Sequence, residues 1–224
     1  MDSVLSGAAT ALPRLLRAAQ DRLISIETGC DRPRVAERVA GRGGVCTDFR
    51  CDVGCLSERD GLDTGPLLGR AVVLRLQRDD GSRRAWHGHC TAVQALGSDG
   101  GLARYRLRIE PWTAFLRLRR NALVFQDLDA LGVVDRILDD YPQAAMSVDV
   151  GRSLPVPAIT TQYRESDHAF VFRLLSRAGL AWRFDHVDDG DGPRHVLAVF
   201  DRDAATPTCA TPVLRFHRSD IAEK

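Results

Sequence analysis

The chain has 224 residues, enough for one large domain or two small ones with buried cores. Its 44% hydrophobic and 27% charged residues exclude a disordered chain, and no stretch approaches the roughly 20 consecutive apolar residues of a membrane-spanning helix. A formal net charge of +1 excludes a general field that draws in nucleic acid or anionic lipid.

All but one of the 31 basic residues are arginine, the exception being Lys224. Such a bias suits bidentate phosphate or carboxylate recognition, but it is more simply the habit of a GC-rich genome. Six cysteines, at Cys30, Cys46, Cys51, Cys55, Cys90 and Cys209, lie in a chain too large to need staples and are expected to be free thiols.

Residues 1–21 read as an N-terminal arm. Leu5, Ala8, Ala9, Leu12, Leu15, Leu16 and Ala19 recur at helical spacing, with Pro13 against a long unbroken helix. Asp2, the missing basic n-region and the Pro13-Arg14 interruption do not make a signal peptide, so the protein is expected in the cytoplasm until another route exports it.

Leu23, Ile24 and Ile26 predict the first strand, and the Gly- and Arg-rich run 29–44 predicts a loop. Phe49, Cys51 and Val53 alternate with Arg50, Asp52 and Gly54 as in a strand. Residues 67–96 predict a hairpin: Val72, Leu74 and Leu76 alternate with Val73, Arg75 and Gln77, Asp80-Gly81 supplies the turn, and Trp86 restarts the extended chain. A third strand follows at 103–111, with Asp99-Gly100-Gly101 as its turn. Three antiparallel strands with tight turns begin a barrel or sandwich.

After Pro111 the period moves toward helix. Trp112, Phe115, Leu116 and Arg119 suit a short helix, and Leu128, Leu131, Val134, Ile137, Leu138 and Tyr141 form the stripe of another, capped at Asp127 or Asp129 and stopped by Pro142. Pro155 and Pro157 mark 143–158 as a linker or sheet edge.

The stretch 162–186 predicts strand, helix and strand. Ser166 is a good N-cap, and Asp167 faces the positive end of the helix dipole. Phe170, Val171, Leu174, Leu175 and Ala178 recur at helical spacing, with Arg173 and Arg177 opposite. Gly179 ends the helix, after which Leu180, Trp182 and Phe184 alternate with polar or small neighbours. Val196, Ala198 and Phe200 give a last strand.

Chemistry is sparse. His87, His89 and Cys90 suggest zinc, yet alternation puts both histidines on one face and Cys90 on the other, which favours a structural strand. Cys46, Cys51 and Cys55 lack C-x-x-C spacing, and no G-x-S-x-G, phosphate loop or H-E-x-x-H occurs. Glu165 and Asp167 flank a cap serine and are expected to serve the helix start rather than acid-base catalysis. Arg104, Arg106 and Arg108 line one strand face, read as solvated, with an acidic partner or a neighbouring subunit as alternatives.

Several of these residues, in order, resemble the VgrG family, the spike proteins of bacterial type VI secretion systems. Gln162, Tyr163, Glu165, Ser166, Asp167, Phe170, Arg173, Leu174, Gly179, Trp182 and Phe184 fall on that family's most specific segment, although its usual Glu-Gly-Ile is here Ala178, Gly179 and Leu180. Leu68-Gly69-Arg70, Trp86-His87-Gly88, Tyr105 to Pro111, and Asn121, Val124, Phe125 and Gln126 fall on others.

The resemblance spans about residues 22–220. It implies an α+β, mainly antiparallel β fold: two β-barrel-like tail-hub domains with short helices. The first occupies 22–110, a helical connection 111–142, and the second 143–224, expected to be incomplete and to borrow strands from a partner.

It also implies a structural role without enzymatic activity, cofactor, metal, nucleic acid or membrane anchor. The implied partners are a homotrimer, the Hcp tube, the downstream spike, and effector or adaptor proteins. Family members continue past the point matching residue 220 with the rest of the hub, an oligosaccharide-binding-like domain and a needle, so this chain resembles the first part of a hub, as a truncated gene, a fragment or a standalone variant. A prophage contractile-tail baseplate hub protein and a free-standing effector- or adaptor-binding module are the alternatives.

Overall fold

The computed structural model describes residues 23–29, 35–57, 63–78, 80–99 and 102–205. The arm 1–21, the turn at Gly100-Gly101, Cys30 and residues 206–224, Cys209 among them, lie outside them.

Six strands form the first sheet: β1 (Ile24–Glu27), β2 (Val35–Gly44), β3 (Thr47–Ser57), β4 (Ala71–Gln77), β5 (Arg83–Asp99) and β6 (Leu102–Glu110). Their order is β1-β4-β5-β6-β3-β2, every neighbour antiparallel. Parity decides what is buried. On β6, Ala103, Tyr105, Leu107 and Ile109 point inward while Arg104 and Arg106 face solvent, and Arg108 pairs with Asp52 at 3.0 Å. Ile24 and Ile26 of β1 pack on the same cluster as Ala36 and Val39 of β2. Those strands are the two ends of the order, so the sheet curls around one core as a half-barrel.

Residues 29–44 differ from the expected loop, because 35–44 form β2 against β3. Its glycines replace side chains where space is short: a Cβ at Gly41 would lie 3.3 Å from Cys51 Sγ, and one at Gly43 3.1 Å from Phe49 Cβ. Composition suggested a turn, whereas pairing makes these residues a strand that lies close over its neighbour. The Asp80-Gly81 turn forms as expected, with Gly81 at φ +79° and Asp80 Oδ1 accepting from Ser82 N–H at 2.8 Å.

The second part starts with a 3-10 helix, Trp112–Arg117, then β7 (Arg120–Gln126), α1 (Ala130–Leu138), β8 (Met146–Asp149), β9 (Ile159–Ser166), α2 (Asp167–Arg177), β10 (Leu180–Asp189) and β11 (Gly192–Asp201). The stretch 111–142 is therefore not wholly helical, since β7 within it pairs antiparallel with β9 in a two-stranded ribbon. β10, β11 and β8 form a three-stranded sheet in which β8 is a parallel edge.

Asp129 caps α1 through Gly132 N–H at 2.8 Å, and Ser166 caps α2 through Ala169 N–H at 3.1 Å. Gly179 takes φ +70° after α2, where a β-carbon is disfavoured. Trp112, Leu116, Val133, Val134, Ile137, Phe170, Val171, Leu175, Leu180 and Leu197 make the second core.

Candidate functional site

Three family-pattern residues, Asn121, Gln162 and Asp167, meet in a buried node rather than a cleft. Asp167 opens α2 with its side chain wholly buried. Its carboxylate accepts from Arg119 Nε (2.6 Å), Tyr141 Oη (2.8 Å), Gln162 Nε2 (2.8 Å) and Asn121 Nδ2 (3.2 Å). Burial pushes its pKa up, but the hydrogen bonds from Gln162, Tyr141 and Arg119 outweigh burial and hold it below the usual carboxylate value. The same burial and the adjacent carboxylate push Tyr141 up to about 12.

A carboxylate holding four donors away from water has no free lone pair to act as a base. It ties β7, the end of α1, β9 and α2 together. Glu165 of β9 pairs with Arg173 of α2.

A second set of polar contacts sits between the two cores. His87 and His89 of β5 leave the first core on the face opposite Cys90 and meet His186 of β10 and His195 of β11. His195 Nε2 accepts from Trp112 N–H at 2.9 Å, so a neutral His195 carries its proton on Nδ1 and donates it to His87 Nδ1, 2.8 Å away. His186 Nδ1 accepts from His87 N–H at 3.2 Å, and His89 Nδ1 donates to Gly69 O at 3.2 Å.

Burial lowers all four pKa values, His87 and His186 to about 4, so the cluster is neutral near pH 7. Among the described residues no group of three or more His, Cys, Asp or Glu is placed to hold a metal.

Phe49 seals this seam edge-on, with ring centroids 5.3 Å from Phe184 and 4.8 Å from His186. Nearby, Asp48 of β3 accepts from Thr113 Oγ1 at 3.0 Å, contacts His168 Nε2 of α2 at 2.9 Å, and pairs with Arg117. Cys46 N–H donates to Trp182 O at 2.8 Å, a backbone staple between the β2–β3 turn and β10. Among the described residues Cys46, Cys51, Cys55 and Cys90 form no disulfide.

The remaining pattern residues support the frame. Leu68 is exposed, and Gly69 adopts φ +78° with its N–H on Cys90 O at 2.8 Å. Gly88 is obligatory where β5 crosses β6, since a Cβ would lie 2.6 Å from Ile109 Cγ2 and 2.9 Å from Glu110 O. Trp86 packs on the first core, and Tyr105 lies within it. Pro111 precedes the 3-10 helix.

Phe125 stacks on Phe170 at 5.8 Å, and Trp182 lies in the second core, while Gln126 and Tyr163 face outward. Sequence reasoning missed Asp48, Arg119, Tyr141, His186 and His195 as site members. Their partners are up to 120 residues away along the chain, and no local pattern marks them.

The family model for the phage tail baseplate hub (GPD) matches residues 42–224. The chain belongs to that family. It is a homologue of VgrG spike proteins: it is 29% identical over 189 residues to type VI secretion system spike protein VgrG1b of Pseudomonas aeruginosa, covering 82% of this chain and 24% of that protein. To VgrG5 of the same organism it is 31% identical over 177 residues, covering 77% and 21%. The chain thus spans about a quarter of the length of VgrG1b and about a fifth of VgrG5.

Among solved structures, the Escherichia coli c3393 protein superposes with a TM-score of 0.70 at 26% identity, covering 80% of this chain and 49% of that one. That protein is described as a type VI secretion component with structural similarity to T4 bacteriophage tail proteins gp27 and gp5. A tail protein from Neisseria meningitidis MC58, TM-score 0.51 at 16% identity over 78% of this chain and 49% of that one, shares the fold. The chain is therefore a phage-hub-like relative of VgrG spike proteins.

Proposed function

We propose that this chain forms the base of a type VI secretion spike, as the hub region that trimerises, joins the Hcp tube to the downstream spike and helps deliver effectors. The observation that carries the reading is the β7–β9 ribbon. Register places Ala122 with Tyr163, Val124 with Thr161 and Gln126 with Ile159, all on one outward face. Val124, Tyr163 and Ile159 are 61%, 68% and 61% exposed. Such an apolar face on a two-stranded ribbon, with both outer edges unpaired among the described residues, is a surface made to be covered.

On this reading 22–110 is the first hub domain, 111–142 joins it to the second, and 143–224 is a second domain completed by strands from elsewhere in the assembly. The chain acts without catalysis of its own, and the spike machinery carries it out of the bacterial cytoplasm. No helix among the described residues is long and apolar enough to cross a membrane.

A prophage contractile-tail hub is the second reading, favoured by the match to the phage hub family. The test is the mass of the purified chain by light scattering, with and without Hcp. A trimer that binds Hcp is expected. A monomer indifferent to Hcp, whose mass also ignores Val124→Glu, overturns the spike-base reading for this chain and turns attention to a free-standing effector- or adaptor-binding module.

A further inference from the structure

Four imidazoles meet where the two parts of the chain touch. The His195 ring centroid lies 5.0 Å from that of His87, 5.7 Å from that of His89 and 6.3 Å from that of His186. Phe49 and Phe184 close over His195 edge-on or tilted, at 5.5 and 5.7 Å. The frame of the fold explains the caps and the Asp167 node, but it does not call for four titratable rings in one place.

The direction of the hydrogen bonds fixes what a proton does here. Three ring nitrogens are acceptors: His195 Nε2 from Trp112 N–H, His87 Nδ1 from His195 Nδ1–H, and His186 Nδ1 from His87 N–H. A neutral imidazole adds a proton only at its acceptor nitrogen, and the imidazolium that results has two donors and no acceptor. Each of these three protonations therefore breaks the bond that its nitrogen accepts. Two of the three bonds cross from β5 to the sheet of the second part. The third belongs to Trp112, which is wholly buried, so water replaces its partner only if the seam parts. A proton on His89 breaks no such bond, because His89 Nδ1 already donates to Gly69 O, but its charge faces His87 and His195.

The surroundings offer the new charge little. On the elements around the rings, Asp48 of β3 is held by Arg117 and His168, Glu110 of β6 by Arg117, Asp185 of β10 by Arg183, Asp188 by Arg75 and Asp189 by Arg194. Arg84 of β5 adds a positive charge that acts on His186. Burial disfavours the charged form of all four histidines in the closed seam.

We propose that the relay from Trp112 through His195 and His87 to His186 is an acid-released latch: a proton at any of its three acceptor nitrogens opens the seam while both cores stay folded. Opening lets water solvate the charge and take over the broken bonds. Two ties without a histidine remain, Cys46 N–H to Trp182 O at 2.8 Å and Arg75 to Asp188 at 2.5 Å, so the parts swing rather than separate. The proposal does not depend on the spike reading.

The test is amide hydrogen exchange of the full chain between pH 7.5 and 4.5, corrected for the intrinsic pH dependence of exchange and read by mass spectrometry. Peptides that carry the Trp112 and His87 amides are expected to lose protection as pH falls, while those over β3 and α2 keep theirs and the far-ultraviolet circular dichroism is unchanged. Three histidines that regain ordinary basicity on opening raise the open population by up to about a thousandfold per pH unit. His195→Gln keeps an acceptor for Trp112 N–H but takes up no proton, and it is expected to lower that rise by about tenfold per pH unit. His186→Gln is expected to do the same, and the pattern in the unmodified chain decides the matter if either variant fails to fold.

Seam and core peptides that lose protection together overturn the proposal, because acid then unfolds the whole chain. A seam still protected at pH 4.5 also overturns it. So does a pH dependence that both folded variants leave unchanged, which places the proton on another group such as Asp48.

Discussion

The two cores are held by different means. In the curled sheet, backbone ladders run from one strand to the next, and alternation alone sends Val53, Val72, Tyr105 and Leu107 inward. In the second part, the ladders are divided between a three-stranded sheet and a two-stranded ribbon, and a single buried carboxylate joins four of its elements. Repetition makes the first tolerant of one lost contact. Convergence makes the second depend on one residue.

The largest expected effect tests that dependence. Asp167→Ala takes the acceptor from Tyr141 Oη and from one Gln162 N–H, and leaves Arg119 with Asp140 alone. It should cost on the order of 3–5 kcal/mol in urea unfolding. A loss under about 1 kcal/mol would show that apolar packing, not the node, holds the second part.

Next is the point where the sheet stops being tolerant. Gly88→Val drives a side chain into Ile109 and the Glu110 carbonyl and should destabilise by roughly 1–3 kcal/mol. The same change at Gly190, where nothing lies within 4 Å, should be nearly silent by the same assay.

The seam between the cores should respond to pH. The four histidines have folded pKa values below the ordinary 6.5, so the unfolded chain takes up their protons first. Their contribution is complete above pH 6.5 and is lost as pH falls toward 4, where ordinary carboxylates titrate as well. His195 alone should give a slope of on the order of 1 kcal/mol per pH unit within that window. His195→Gln should flatten the profile between pH 6.5 and 4 even if it lowers stability at pH 7.5. A profile unchanged by this variant would place the pH response elsewhere.

The smallest effect is local to α2. Ser166→Ala loses the cap to Ala169 N–H and should cost about 1 kcal/mol, with Ser166→Asp restoring it. Hydrogen exchange at the start of α2 separates this fraying from loss of the node beside it.

Much of the architecture was legible in local chemistry. The caps Asp129 and Ser166, the stop at Gly179, the hairpin turn at Asp80-Gly81 and the alternation of β3, β4 and β6 each follow from a few adjacent residues. Residues 35–44 were not legible, because a strand rich in glycine and arginine has no apolar alternation of its own. It becomes a strand because β3 offers it a ladder, with Gly41 and Gly43 where a side chain would crowd Cys51 and Phe49.

The sequence by itself determined which segments are strands or helices wherever period, cap and turn agree, and it marked Asp167 and its neighbours as a motif. The tertiary structure decided what the motif does. Hydrogen bonds from Arg119, Asn121 and Tyr141 come from elements 26 to 48 residues away, and the His87–His195 contact joins strands 108 residues apart. Spacing along a chain constrains side chains within a helical turn or across a pleat, but it has no hold on partners that only folding brings within 3 Å of one another.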